Sequence, residues 1–127
     1  MAYFHVWFAT KSRKWLLQGD VREAAKREFS TIALNKRIKL LECEAVVDHV
    51  HLLLEVSDRG RLPRIMNDLK GISARHLFEE FPELKLDAET NHFWQQRYGS
   101  KLVAPGALDA IKRYIRSQWD RLESFER

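Results

Sequence analysis

The first ten residues are almost all apolar or aromatic, with His5 and Thr10 the polar exceptions. Across Tyr3–Thr10 the side chains are aromatic or β-branched at most positions. Tyr3, His5 and Trp7 share one face and Phe4, Val6 and Phe8 the other, as in a strand packed on one side. The period then changes. Val21, Ala24, Ala25, Phe29, Ile32 and Ala33 recur at three- and four-residue spacing, which predicts a helix over Asp20–Lys36 with Gly19-Asp20 at its start. Ile38–Val47 and His49–Val56 read as two strands with only Asp48 and its neighbours between them, so a hairpin is expected. Ser57–Gly60 reads as a turn. Pro63 suits the first turn of a second helix running to about Phe81, with an apolar stripe of Leu62, Ile65, Met66, Leu69, Ile72 and Leu77. Gly71 weakens this helix midway and Pro82 ends it. Leu84–Asn91 reads as a loop, Phe93–Val103 as a strand broken by Gly99, and Leu108–Ser124 as a last helix behind Pro105-Gly106.

The order strand, helix, strand, strand, helix, strand predicts a ferredoxin-like α+β domain: an antiparallel sheet with two helices on one face. The last helix is an addition, with Leu108, Ile111, Ile115 and Leu122 as its apolar stripe. There is no internal repeat and no low-complexity tract, so residues 1–127 are expected to form one domain.

Two patterns carry chemistry. In Asp48-His49-Val50-His51-Leu52-Leu53-Leu54, strand alternation turns His49 and His51 to one face, while Val50, Leu52, Leu54 and Val56 turn toward the helices. Two imidazoles on one face can share a metal ion. They can equally be unconnected histidines, but setting two titratable rings in an otherwise apolar strand has a desolvation cost that favours a shared ion. The second pattern is Ile111-Lys112-Arg113-Tyr114-Ile115-Arg116-Ser117-Gln118, where Tyr114 and Gln118, four apart, share a helix face. Taken alone, Tyr114 extends the apolar stripe and Gln118 is solvated.

Composition narrows the field. Of 127 residues, 45% are hydrophobic and 31% charged, which excludes a disordered chain. No apolar run approaches bilayer length, and Met1–His5 lacks a secretory pattern, so the expected compartment is the cytoplasm and no membrane partner is expected. The single cysteine, Cys43, permits neither an intrachain disulfide nor a zinc–thiolate cluster, and its apolar surroundings suit a buried, inert thiol. The net charge of +4 is modest. Basic residues nevertheless cluster at Lys11–Lys14, Lys36–Lys39, Arg59–Arg64 and Lys112–Arg116, which together point to a polyanion. No Gly-rich, Lys-containing phosphate loop is present, so no nucleotide cofactor is expected.

The two patterns together resemble the small single-tyrosine HUH transposases of bacterial and archaeal insertion sequences, of the IS200 kind. The resemblance rests on Phe4-His5-Val6-Trp7, Asp48-His49-Val50-His51-Leu52-Leu53, Leu69-Lys70-Gly71 with Ser73 and Arg75, Phe93-Trp94 with Arg97-Tyr98, and Ile111-Lys112-Arg113-Tyr114-Ile115 with Gln118. It spans the chain in the family's order. One stretch departs from the pattern: Gln95-Gln96-Arg97-Tyr98-Gly99-Ser100-Lys101 stands where a glycine before the tyrosine and an apolar strand after it are expected.

The resemblance implies a nuclease that nicks and rejoins single-stranded DNA at element ends, recognises hairpins, and forms a 5′-phosphotyrosine. His49, His51 and Gln118 are implied as ligands of a divalent ion, Mg²⁺ or Mn²⁺, and Tyr114 as the nucleophile. Arg13, Lys14, Lys70, Arg75, Arg113 and Arg116 are candidate DNA contacts. A homodimer is implied, and the join at Ala104-Pro105-Gly106 leaves open whether the tyrosine helix reaches its own sheet or its partner's. His5 reads as a buried structural histidine or as support for the pair. Trp7, Trp15, Trp94 and Trp119 can stack bases, though large aromatics more often fill a core or an interface. Three other readings compete: a domesticated relative acting on chromosomal repeats, a non-catalytic nucleic-acid module on a ferredoxin-like sheet, and a hydrolytic metallonuclease in which Tyr114 is structural.

Overall fold

In the computed structural model, which describes residues 1–88 and 92–119, four strands form one antiparallel sheet. They are β1 (Ala2–Ala9), β2 (Lys39–Val46), β3 (His49–Val56) and β4 (Gly99–Val103), in the order β2-β3-β1-β4. Helices α1 (Gly19–Asn35) and α2 (Leu62–Glu80) connect them, followed by a short α3 (Leu84–Ala88) and the last helix α4 (Leu108–Arg116). The sheet order and connections are those of the ferredoxin-like α+β domain.

Alternation along β1 and β3 sorts side chains as the sequence predicts. Phe4, Val6, Phe8, Val50, Leu52, Leu54 and Val56 are all buried in the core beneath α1 and α2. The helices contribute Ala24, Ala25, Phe29 and Ile32 from α1, and Leu62, Met66, Leu69 and Leu77 from α2. Gly71 does not interrupt α2.

The opposite face carries a second, smaller core. Fully buried Leu53 and Ile115 meet Val103 there, with Leu41, Leu108 and Ile111 packed around them. This cluster seats α4 on the sheet, and an ion pair from Arg116 Nε to Glu42 Oε2 of β2 (2.7 Å) fixes it at its C-terminal end. A register shift between Leu40 and Glu42 interrupts the β2–β3 ladder at Leu41.

Three expectations change. Residues 84–88 form a helix rather than the start of a loop, and the end of that expected loop, 89–91, lies outside the described residues. The expected strand Phe93–Val103 is extended only over Gly99–Val103. Phe93 and Trp94 are consecutive and both buried in the helix-side core, which a regular strand's alternation forbids. Trp94 instead donates from Nε1 to Ser73 Oγ of α2 (2.9 Å), and Gln95 N–H bonds the Ala9 carbonyl. The third change is the end of the last helix. α4 stops at Arg116, and residues 120–127, including Leu122 and Ser124, lie outside the described residues.

Candidate active site

β3 begins with the histidines, and the turn before it is strained. Val47 has φ 53°, a left-handed conformation that a β-branched residue rarely adopts. Leu17 holds it there through a reciprocal pair of backbone hydrogen bonds, Leu17 N–H to Val47 O at 2.8 Å and Val47 N–H to Leu17 O at 3.2 Å. The next residue, Asp48, accepts at Oδ2 from Arg13 Nε (2.9 Å) and at Oδ1 from His49 Nδ1 (2.8 Å).

His49 and His51 lie on the same face with ring centroids 5.1 Å apart and planes at 83°. His51 is buried, and its Nδ1 lies 2.9 Å from Nε2 of His5 on the neighbouring strand. Nδ1 of both rings is therefore engaged by the protein, which leaves each Nε2 as the nitrogen available to an ion. For His51 to ligate through Nε2, its Nδ1–H must donate to His5. Burial, with the adjacent His49 and His5 adding to it, lowers the His51 pKa to about 4. The ring is thus neutral at neutral pH, the form that binds metal. Burial and then Lys101 also lower the pKa of His5.

α4 places Tyr114 over these rings. Its ring lies edge-on to His5 and His51, with centroid separations of 5.8 and 6.0 Å, and remains 37% exposed. Ile115, the next residue along α4, is the one driven into the second core, so packing at Ile115 sets where Tyr114 points. Gln118 donates from Nε2 to the Tyr114 carbonyl (3.0 Å), a bond that does not engage its Oε1. Among the described residues no group of three His, Cys, Asp or Glu side chains is arranged to hold a metal ion by itself. Glu44, opposite His51 on β2, is engaged by Arg22 and Lys26 instead.

Sequence and fold both place the chain in a known family. The family described as "Transposase IS200 like" matches residues 1–118. The ISDra2 transposase TnpA of Deinococcus radiodurans is 31% identical over 118 residues, covering 93% of this chain and 84% of the relative. The transposase for insertion sequence element IS200 of Salmonella typhimurium is 31% identical over 115 residues, covering 91% and 75%. The chain belongs to the IS200-like transposase family. Membership makes it an enzyme of DNA strand transfer. Among solved structures, a transposase candidate from Deinococcus radiodurans superposes with a TM-score of 0.76 at 31% identity, covering 93% of this chain and 92% of that one. A REP-associated tyrosine transposase bound to a REP hairpin shares the fold, with a TM-score of 0.58 at 10% identity, covering 91% and 65%. Among the described residues of this transposase no helix is long and apolar enough to cross a membrane.

The six candidate DNA contacts do not form one surface. Arg13 and Lys14 belong to the loop beside His49, where Arg13 is already paired with Asp48. Arg113 and Arg116 are exposed on α4, with Arg116 paired to Glu42. Arg75 is exposed on α2, in the layer on the other side of the sheet from the histidines. Lys70 turns inward. Its Nζ donates to the carbonyls of Gln95, Gln96 and Arg97 at 2.5–3.3 Å, and burial lowers its pKa. Lys70 therefore clamps the segment that departs from the family pattern, giving a side-chain donor to carbonyls that lie outside the strand ladder. Lys70→Met is expected to leave those carbonyls short of a donor and lower stability by about 1–3 kcal/mol, read from urea denaturation. A change within about 0.5 kcal/mol would show that water satisfies them equally well.

Cys43 stays out of the chemistry, since burial pushes its thiol up to about 12. The feature that residue patterns missed is the His5–His51 hydrogen bond, because it depends on how β1 and β3 align. Trp94, named as a possible base-stacker, is core.

Proposed function

We propose that this transposase is a metal-dependent single-strand nickase and joinase, with Tyr114 as nucleophile and His49, His51 and Gln118 as metal ligands. The observation that carries this reading is the Tyr114 ring lying directly over the His5–His51 pair on the face to which His49 also points. The two neutral imidazoles, each with Nδ1 engaged and Nε2 available, and an amide oxygen suit a divalent ion that stays open to substrate. Bound there, Mg²⁺ or Mn²⁺ would supply charge neutralisation and polarisation of a scissile phosphate.

The chain's own residues perform the rest. Tyr114 Oη attacks phosphorus and forms the P–O bond as the bond to the 3′ oxygen breaks. The leaving strand takes a proton and ends in a 3′-hydroxyl, while the other end remains as a 5′-phosphotyrosine. Attack by a 3′-hydroxyl reverses these steps, so the phosphodiester energy is conserved and joining needs no ATP. A free phenol has a pKa of about 10 and is a weak nucleophile at neutral pH, which is why the phosphate needs activation.

The proposed substrate is hairpin-bearing single-stranded DNA, and the proposed assembly is a homodimer. Leu102, exposed on the edge strand β4, supports association. The seating of α4 on its own sheet supports catalytic sets contained within one chain. It also argues against a non-catalytic sheet-face reader, because that face is partly covered. The test is incubation of purified protein with labelled single-stranded element ends and a second acceptor strand, with and without Mn²⁺. Nicking and strand joining that need the metal but not ATP are expected. Metal-independent nicking, or nicking that never yields joined strands, would contradict the reading.

A further inference from the structure

The second core seats α4 through Leu108, Ile111 and Ile115, and Ile115 is the last of these along the helix. Gln118 and the turn that carries it lie beyond that anchor. The Arg116–Glu42 ion pair stands there, but its arginine side chain is 64% exposed, and an exposed pair of this kind holds little. A second hold comes from the other side of the sheet. Arg22, in the first turn of α1, has its guanidinium carbon 4.9 Å from the centre of the half-buried Trp119 ring. α1 covers one face of the sheet and α4 the other, so the two can meet only around an edge, and β2 is the edge strand there. Arg22 is fixed independently of Trp119. Its Nε donates to the Ala45 carbonyl (2.8 Å), its Nη2 to Glu44 Oε1 (2.5 Å) and its Nη1 to Glu23 Oε1 (2.6 Å). Guanidinium N–H groups point outward in the plane, so these bonds leave the flat face for the indole. Glu44 is buried and stands opposite His51 across β2–β3. One guanidinium thus links the strand pair that carries His51 to the helix end that carries Gln118.

We infer that Arg22 and Trp119 are positioning residues for strand cleavage. Their contact around the β2 edge fixes the last turn of the tyrosine helix, and with it Tyr114 and Gln118, over the histidines. Ser117 Oγ (2.9 Å) and Gln118 Nε2 (3.0 Å) both donate to the Tyr114 carbonyl, so the turn from Tyr114 to Trp119 moves as one piece. The pair acts through the helix rather than on the phosphate. Misplacing an attacking group by about 1 Å can cost about 100-fold in rate, which makes a loosened turn a loss in kcat. An aliphatic side chain at position 119 keeps bulk but loses the attraction of an aromatic face for the cation, whereas phenylalanine keeps it. This inference rests on the proposed roles of Tyr114 and Gln118.

The test reads the position of Tyr114 without catalysis. The chain has three tyrosines, Tyr3, Tyr98 and Tyr114, so protein labelled with 3-fluorotyrosine gives three ¹⁹F resonances, and the one lost in Tyr114→Phe is that of Tyr114. In wild type it should be displaced from the free-tyrosine position, because the ring lies edge-on to His5 and His51. Trp119→Leu is expected to move it toward the free position and to leave Tyr98, which packs on the other core, in place. Trp119→Phe should keep it near wild type. In nicking assays Trp119→Leu should lower kcat about 10-fold with KM for single-stranded DNA unchanged, and Trp119→Phe should restore most of the rate. Arg22→Lys keeps a cation beside Glu44 but offers no flat face, so it should shift Tyr114 and lower kcat in the same way, and it carries the test if Trp119→Leu does not fold. Adding Trp119→Leu to Arg22→Lys should cost little more, as for two residues that act as one contact. A Tyr114 resonance unmoved in both variants would overturn the assignment, since the second core alone would then hold the helix. Tyr98 shifting together with Tyr114 would overturn it in favour of a general role in the fold, and a loss expressed in KM in favour of a role in DNA binding. If wild-type protein makes no nick, the proposed function fails, while the ¹⁹F comparison still decides whether Arg22 and Trp119 hold Tyr114 over the histidines.

Discussion

His51→Ala is expected to abolish metal-dependent nicking, with a fall in rate of about 1,000-fold or more. The replacement removes one of the two proposed histidine ligands, and stabilisation of phosphoryl transfer by a bound ion is worth several kcal/mol, each 1.4 kcal/mol being tenfold in rate. It also strands His5, whose Nε2 loses the His51 Nδ1 partner at 2.9 Å. His5→Gln should be graded between wild type and His51→Ala. It leaves both ligands in place and removes only the group that orients one of them, a change worth about 10–100-fold in metal affinity or activity. Mn²⁺ binding followed by electron paramagnetic resonance reads this order without relying on catalysis. Equal Mn²⁺ affinity in wild type and His51→Ala would mean that the ion, if one binds, sits elsewhere.

Tyr114→Phe is expected to eliminate nicking while leaving DNA binding, Mn²⁺ binding and stability intact. The substitution deletes one hydroxyl from a ring that is 37% exposed and anchored by its neighbour Ile115, so the change in stability should stay within about 0.5 kcal/mol. The ring contacts to His5 and His51 are kept, which separates the role of the oxygen from that of the ring. Nicking at the wild-type rate by Tyr114→Phe would transfer the chemistry to water or to Tyr98, which lines a groove together with His49 and His51.

Strand periodicity made much of this architecture legible. In His49–Val56 the alternation places Val50, Leu52 and Leu54 under the helices and the histidines on the other face, and the observed strand has the same bounds. The family resemblance rested on the same stretch, and the family match over residues 1–118 bears it out. Where the reading failed, tertiary contacts overrode local pattern. Phe93 and Trp94 look like strand residues because aromatics favour strands, yet both are drawn into the helix-side core, and Lys70 consumes the carbonyls that follow. Lys70 itself reads as a surface cation because charge in a sequence carries no direction. The His5–His51 bond and the Trp7–Gly99 contact were illegible for a third reason. Both depend on inter-strand register, which brings together residues more than forty positions apart.

On the proposed mechanism the Tyr114 oxygen becomes covalently joined to DNA. Wild-type protein should be incubated with Mn²⁺ and single-stranded element ends labelled on the 3′ side of the cut, denatured, digested with protease, and analysed by mass spectrometry for the peptide carrying the label. The expected product is a denaturation-resistant adduct whose modified residue is Tyr114. Efficient nicking with no adduct, or with the label on any other residue, would contradict it.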